Sequence, residues 1–142
     1  MRIGELANRA NVGVETIRFY ESRGLVPRPA RPRNGGYRDY PDALVARIRF
    51  IRSAQQLGFS LREVSELLTL ERAERAECAD MRALAERKLS EVQAKIAELD
   101  RIGDALRALI ETCPGGGPLE GCSILKGVRS LDGQATEKSK GD

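Results

Sequence analysis

A chain of 142 residues has room for one small domain and an added element, and its 32% charged and 4% aromatic residues favour helices over a β sandwich. There is no histidine, which removes the usual general base, and no apolar run long enough to span a membrane or charged-then-apolar leader at the start, so a cytoplasmic setting is expected. The net charge of +3 is unevenly spread: residues 1–60 hold eleven Arg against five acids, and residues 61–142 hold thirteen basic against sixteen acidic residues, which suggests a first half that meets a polyanion, with ordinary surface charge the alternative that counts alone leave open.

In chain order, Ile3, Leu6, Ala7 and Ala10 sit at helical spacing and predict a short helix over 3–10. Asn11-Val12-Gly13 reads as a turn in which Asn11 and Gly13 both tolerate positive φ. Val14–Ser22 predicts a second helix, closed by Gly24. Two short helices across a three-residue turn make a helix-turn-helix, whose second helix enters the major groove of DNA. On that helix Ile17 faces inward, which leaves Glu15, Thr16, Arg18 and Tyr20 to face outward, with Arg18 suited to phosphates or a guanine edge.

Residues 27–32 are rich in Pro and Arg and cannot be helical. The run Arg33-Asn34-Gly35-Gly36-Tyr37-Arg38-Asp39-Tyr40 reads as a tight turn in a small β wing, with Tyr37 and Arg38 set for the sugar–phosphate backbone. Pro41-Asp42 then starts a helix carrying Leu44, Val45, Ile48, Ile51 and Ala54, stopped by Gly58. Ser60-Leu61-Arg62-Glu63 is a capping box stapled by Phe59 and Val64, so another helix begins at Leu61 and carries Val64, Leu67, Leu68 and Leu70.

These blocks carry a resemblance. Ile3-Gly4-Glu5-Leu6-Ala7, Val14-Glu15-Thr16-Ile17-Arg18-Phe19-Tyr20-Glu21, Gly24-Leu25-Val26, Gly36-Tyr37-Arg38-Asp39-Tyr40 and Leu57-Gly58-Phe59-Ser60-Leu61 resemble the MerR family of regulators, in family order and at family spacing. The resemblance reaches from the start of the chain to just past Cys122. It implies a mainly α protein: a winged helix-turn-helix domain, a long antiparallel coiled-coil dimerisation helix and a C-terminal metal-binding loop. The turn residue often Gly in the family is Asn11 here.

Residues 80–112 predict that long helix, with Leu84, Leu89, Val92, Ile96, Leu99, Ile102, Leu106 and Ile110 at steps mostly of three and four. A single apolar stripe on a charged helix must be covered, and a second copy is the simplest partner. The expected layout is therefore a DNA-binding domain over 1–70, a connector over 71–79, the dimerisation helix over 80–112, a metal-binding loop and short helix over 113–128, and a loose tail over 129–142.

Cys78 stands just before that helix, with Cys113 after it and Cys122 beyond a Pro-Gly-rich loop. A helix over 80–112 is roughly 50 Å long, so Cys78 cannot reach the other two thiols of its own chain. In an antiparallel dimer Cys78 of one chain meets Cys113 and Cys122 of its partner, and symmetry gives two equivalent three-thiolate sites. Helix-terminal and Gly-rich surroundings suit thiolate ligands. Three sulfurs without nitrogen select soft ions over zinc. A cysteine-nucleophile enzyme is disfavoured, because no histidine activates the thiol and no phosphate loop is present. A metal-buffering protein is a further alternative, and it would lack preference for one DNA sequence.

Within the family, one Cys before the long helix and a Cys-x8-Cys pair after it resemble the mercury sensors, which implies Hg2+ as inducer. Pb2+ or Cd2+ is the alternative, because Cys122-Ser123-Ile124-Leu125-Lys126-Gly127 is close to the lead sensors and Ser123 replaces the proline usual in mercury sensors. The four-cysteine cluster of iron–sulfur members is missing. The resemblance further implies a homodimer on promoter DNA, sharing it with RNA polymerase, silent without metal and activating by DNA distortion with it.

Overall fold

A computed structural model of the protein describes residues 1–138. The described residues form six α-helices and one short 3₁₀ turn: α1 (Ile3–Ala10), α2 (Val14–Ser22), α3 (Ala43–Gln56), α4 (Leu61–Arg72), α5 (Cys78–Glu111), the turn at Leu119–Gly121, and α6 (Ser123–Lys138). The chain divides into two compact units, Met1–Lys88 and Leu89–Asp142.

The first unit is a helical cluster around one core. Leu6, Ile17, Ile48, Ile51 and Val64 are fully buried, and Leu44, Val45, Ala54, Leu67 and Leu68 join them. These are the positions that the 3.6-residue periodicity assigns to the inner faces of α1 to α4. Helix ends are closed by main-chain geometry. Gly24 takes φ 75°, its N–H donates to Glu21 O, and the Leu25 N–H donates to Tyr20 O. This pair of hydrogen bonds is a Schellman closure. Gly58 (φ 93°) closes α3 in the same way, with Phe59 N–H donating to Ala54 O. At the α1–α2 turn Asn11 takes the left-handed conformation (φ 57°), whereas Gly13 has φ −84° and serves as the N-cap of α2. Of the two turn residues read as tolerating positive φ, Asn11 adopts it.

The expected β wing is not built as strands among the described residues. Its glycine turn is present, with Gly35 at φ 79° and its N–H donating to Pro32 O. A ladder needs a paired neighbour, and the segment finds one only at its end, where Met1 and Tyr40 exchange two main-chain hydrogen bonds of 2.7 and 2.9 Å.

The capping box at α4 forms as read: Ser60 Oγ accepts from Glu63 N–H, and the Glu63 carboxylate accepts from Ser60 N–H. The same carboxylate pairs with Lys88 at 2.8 Å, and Arg87 pairs with Glu66 at 2.6 Å. Met81 and Leu84 pack against the core. The first turns of α5 therefore belong to the N-terminal unit.

Helix α5 starts at Cys78, two residues earlier than the expected 80–112, and ends at Glu111. The cause is Asp80, whose carboxylate accepts from the Glu77 N–H at 2.8 Å and closes the first turn. Its 34 residues include no buried one. In the second unit α6 runs through Lys138, where a loose tail was expected from Arg129; residues 139–142 of that tail lie outside the described residues. No described helix is long and apolar enough to cross a membrane.

The ion pair to Lys88 and the capping bond from Ser60 hold Glu63 down to about 2. A lowered carboxylate contributes stability above its unfolded value that is lost as pH falls toward the folded one. Stability should thus drop between about pH 4.5 and pH 2, and Lys88→Met should flatten that drop. Ser60→Ala should cost about 1 kcal/mol at neutral pH. Denaturant titrations at fixed protein concentration over this pH range check both.

Candidate nucleic-acid interface and thiol site

Helix α2 presents Glu15 and Arg18 as exposed side chains and Thr16 as half-buried, while Ile17 is fully buried. Tyr20 corrects the sequence reading. It is only 2% exposed, its hydroxyl donates to Gln55 Oε1 at 2.7 Å, and burial pushes the phenol up from its ordinary value. It stands one turn from Ile17 on the inner face, so it ties α2 to α3 rather than facing outward as read. The large apolar side chain that α2 exposes is Phe19, at 47%. Helical periodicity assigns apolar residues to the inner face, so the sequence gives no sign of an outward Phe19.

Arg18, Tyr37 and Arg38 come together. An open groove of about 1280 Å³ is lined by these three with Arg2, Arg28 and Arg31, so five arginines outnumber the three carboxylates of Glu5, Glu21 and Asp39 that also line it. Tyr37 is 70% exposed and carries the Arg2 guanidinium over its ring at 3.9 Å. Arg38 is half-buried and donates to Pro29 O at 3.3 Å, which fixes the guanidinium against the Pro-Arg segment. Glu15 and Thr16 line a second groove with Phe19 and Arg52. A groove rich in arginine beside an exposed helix face suits a polyanionic backbone.

The groove is held by contacts invisible in local sequence. The N-terminal ammonium pairs with Asp39 at 2.6 Å, and the Tyr40 hydroxyl donates to Glu21 Oε2 at 2.7 Å. Burial first, then the Glu21 carboxylate, pushes Tyr40 up to about 12, so it remains a neutral donor. Asp39 and Tyr40 are thereby fastened to the chain's first residue and to α2. Some of the basic charge of this half is structural. Arg47, Arg49 and Arg52 on α3 donate to the carbonyls of Leu25, Arg9 and Asn11, at the ends of α2 and α1.

The thiols occupy helix termini. Cys78 is the exposed first residue of α5. Cys113 is half-buried, and its N–H donates to Ile110 O as α5 ends. Cys122 is also half-buried; it ends the 3₁₀ turn and precedes α6, where its Sγ accepts the Leu125 N–H at 3.4 Å and its carbonyl accepts the Lys126 N–H. The sulfur thus plays the part of an N-cap oxygen, in a helix field that favours an anionic ligand. Among the described residues, no three His, Cys, Asp or Glu side chains are gathered within one chain to hold a metal ion. As a donor set the three thiols fit a soft ion.

Residues 1–71 match the profile of the MerR HTH family regulatory proteins, and residues 45–109 match that of MerR DNA binding. The chain is 42% identical to the mercuric resistance operon regulatory protein of Bacillus cereus, over 88% of this chain and 94% of the relative. It is 43% identical to the protein of the same description from Pseudomonas fluorescens, over 95% and 94%. Among solved structures it is similar to the transcription regulator PbrR691 of Ralstonia metallidurans in complex with lead(II), at 35% identity and a TM-score of 0.81, covering 90% of this chain and 98% of that one. With the helix-turn-helix, the cationic groove and the long uncovered helix already described, these matches establish that the chain belongs to the MerR family of helix-turn-helix regulatory proteins.

Proposed function

We propose that this DNA-binding regulator is switched by mercuric ion, which a homodimer holds in two sites of three thiolates each. The observation that carries this reading is the placement of the cysteines: Cys78 opens α5, Cys113 follows its last residues, and Cys122 lies one loop further. A helix of 34 residues is about 51 Å long, so the set closes only between chains. Two α5 helices running antiparallel put Cys78 of one protomer beside Cys113 and Cys122 of its partner.

The similarity to mercuric resistance regulators over most of the chain supports mercury as the signal. The lead(II) complex of the related regulator keeps lead as the second reading, with cadmium beside it. Glu15, Thr16, Arg18, Tyr37 and Arg38 are assigned to DNA; Tyr20 is withdrawn because it is buried against Gln55. Bound metal would supply a cross-link between protomers. The chain itself positions the two groove-bearing units on successive major grooves, and it holds its thiols so that only one relative setting of the protomers completes each site.

Switching follows from differential affinity. Distorting a promoter costs on the order of a few kcal/mol, and a ligand shifts a two-state equilibrium only by its preference for one state. A site split between subunits has that preference built in, because a small shift of one chain removes a ligand. In this reading the apo dimer keeps the promoter silent to RNA polymerase, and the metal-loaded dimer bends and untwists it into an active form.

Arg18→Ala should weaken operator binding by about 1–3 kcal/mol and relax preference at one base position. Arg38→Ala should weaken binding to all sequences and lower the salt slope by about one unit. Gel shifts at several salt concentrations check both, and unchanged binding by both variants would remove the groove assignment.

For the metal, a reporter driven by the protein's own promoter should respond to mercuric ion at lower concentrations than to lead or cadmium. Zinc in large excess should fail to displace mercuric ion in competition titrations. A response led by lead would install the second reading. Metal binding without any operator preference would make the protein a metal buffer.

A further inference from the structure

The loop between Cys113 and Cys122 begins Pro114-Gly115-Gly116-Gly117-Pro118, and Gly115 and Gly117 take φ of 80° and 90°. Such a sequence has little stiffness of its own. What sets the second thiol relative to the first must come from elsewhere in the unit. Cys122 is joined directly to α6, whose start its own sulfur caps. The position of Cys122 is therefore the position of the first turn of α6.

Helix α6 meets α5 at Leu109 through two residues one turn apart. Ser123 Oγ donates to the Leu109 carbonyl at 3.3 Å. Four residues on, a Cβ built at Gly127 would overlap the Cδ2 end of the Leu109 side chain, with Cγ at 3.5 Å, so any larger residue here requires that side chain to move. Leu109 is half-buried, while its α5 neighbours Leu106 and Ile110 are 52% and 62% exposed. Glycine inside a helix weakens it, so a residue with a side chain would serve α6 better were closeness not needed. Leu109 stands one turn before Cys113, whose N–H is bonded to the α5 carbonyl of Ile110. The contact thus links the element that carries Cys113 to the element that carries Cys122.

We propose that Gly127, with Ser123, is a positioning residue for the metal site: the absent side chain lets α6 lie against Leu109, and this sets the Cys122 thiol at the spacing from Cys113 that a shared ion requires. The inference rests on the reading that Cys113 and Cys122 are ligands. Groups that orient ligands without touching the metal typically govern its affinity by about 10- to 100-fold.

The test uses the full-length dimer with mercuric ion as probe, in competition with a small thiol, followed by thiolate-to-metal charge-transfer absorbance. Gly127→Leu should lower mercuric affinity by about 10- to 100-fold and alter the absorbance band, while apo operator binding stays intact. Leucine is the better helix former, so a loss cannot come from a weaker α6. Adding Leu109→Ala to Gly127→Leu moves the bulk from one side of the contact to the other and should restore most of the affinity and the band. Unchanged affinity in Gly127→Leu, or no recovery in the double variant, would overturn the proposal. So would parallel loss of apo operator binding, which would make the contact a general packing feature. Cys122→Ser separates the two levels: if it leaves mercuric binding and the band untouched, the ligand assignment itself is wrong, whatever Gly127 does.

Discussion

The apolar stripe of α5 is the constraint on which the rest of the protein depends. Leu89, Val92, Ile96, Leu99, Ile102, Leu106 and Ile110 are between 39% and 62% exposed, on a helix with no buried residue. A large aliphatic side chain is worth about 1.5–3 kcal/mol when fully buried, so leaving seven in water forgoes much of what would stabilise a domain of this size. An isolated helix of this kind is marginal without an apolar partner. A second α5 supplies a stripe of the same period and length. Pairing thus adds to the stability of α5, so that stability will depend on protein concentration.

From that pairing the division of labour follows. Each protomer carries one cationic groove, built where the N-terminus, α2 and the Tyr37–Tyr40 segment are tied together by Asp39, Tyr40 and Glu21. In the proposed reading each also carries half of two thiol sites. The same helix that pairs the chains therefore spaces the grooves and separates Cys78 from Cys113.

Much of the fold was legible because helix periodicity records burial directly. The inner residues of α3 and α4 and the capping box at Ser60 needed no long-range information. The misreadings have long-range causes. Tyr20 sits at a helical step from Ile17, but its hydroxyl looked like a DNA contact because its partner, Gln55, is 35 residues away. The wing was read as strands from its glycine turn and aromatic residues, yet a strand needs a neighbour, and here that neighbour is Met1 at a single point. The basic count of the first half included Arg47, Arg49 and Arg52, which spend their donors on helix-end carbonyls. In the thiol region, spacing alone exposed the pattern of cysteines. The Gly127–Leu109 approach was hidden, because a lone glycine inside a helix gives no sign of what lies against it until its neighbour is known.

The central claim is that each metal site is shared between antiparallel chains, and differently tagged heterodimers test it most directly. A Cys78→Ala chain and a Cys113→Ala chain each form homodimers in which every site lacks a ligand. In the heterodimer, one end combines both defects, while the other unites the intact Cys78 with an intact Cys113 and Cys122. The account predicts one high-affinity mercuric ion per purified heterodimer and none per homodimer of either variant. If the heterodimer recovers no site, the shared, antiparallel arrangement is contradicted.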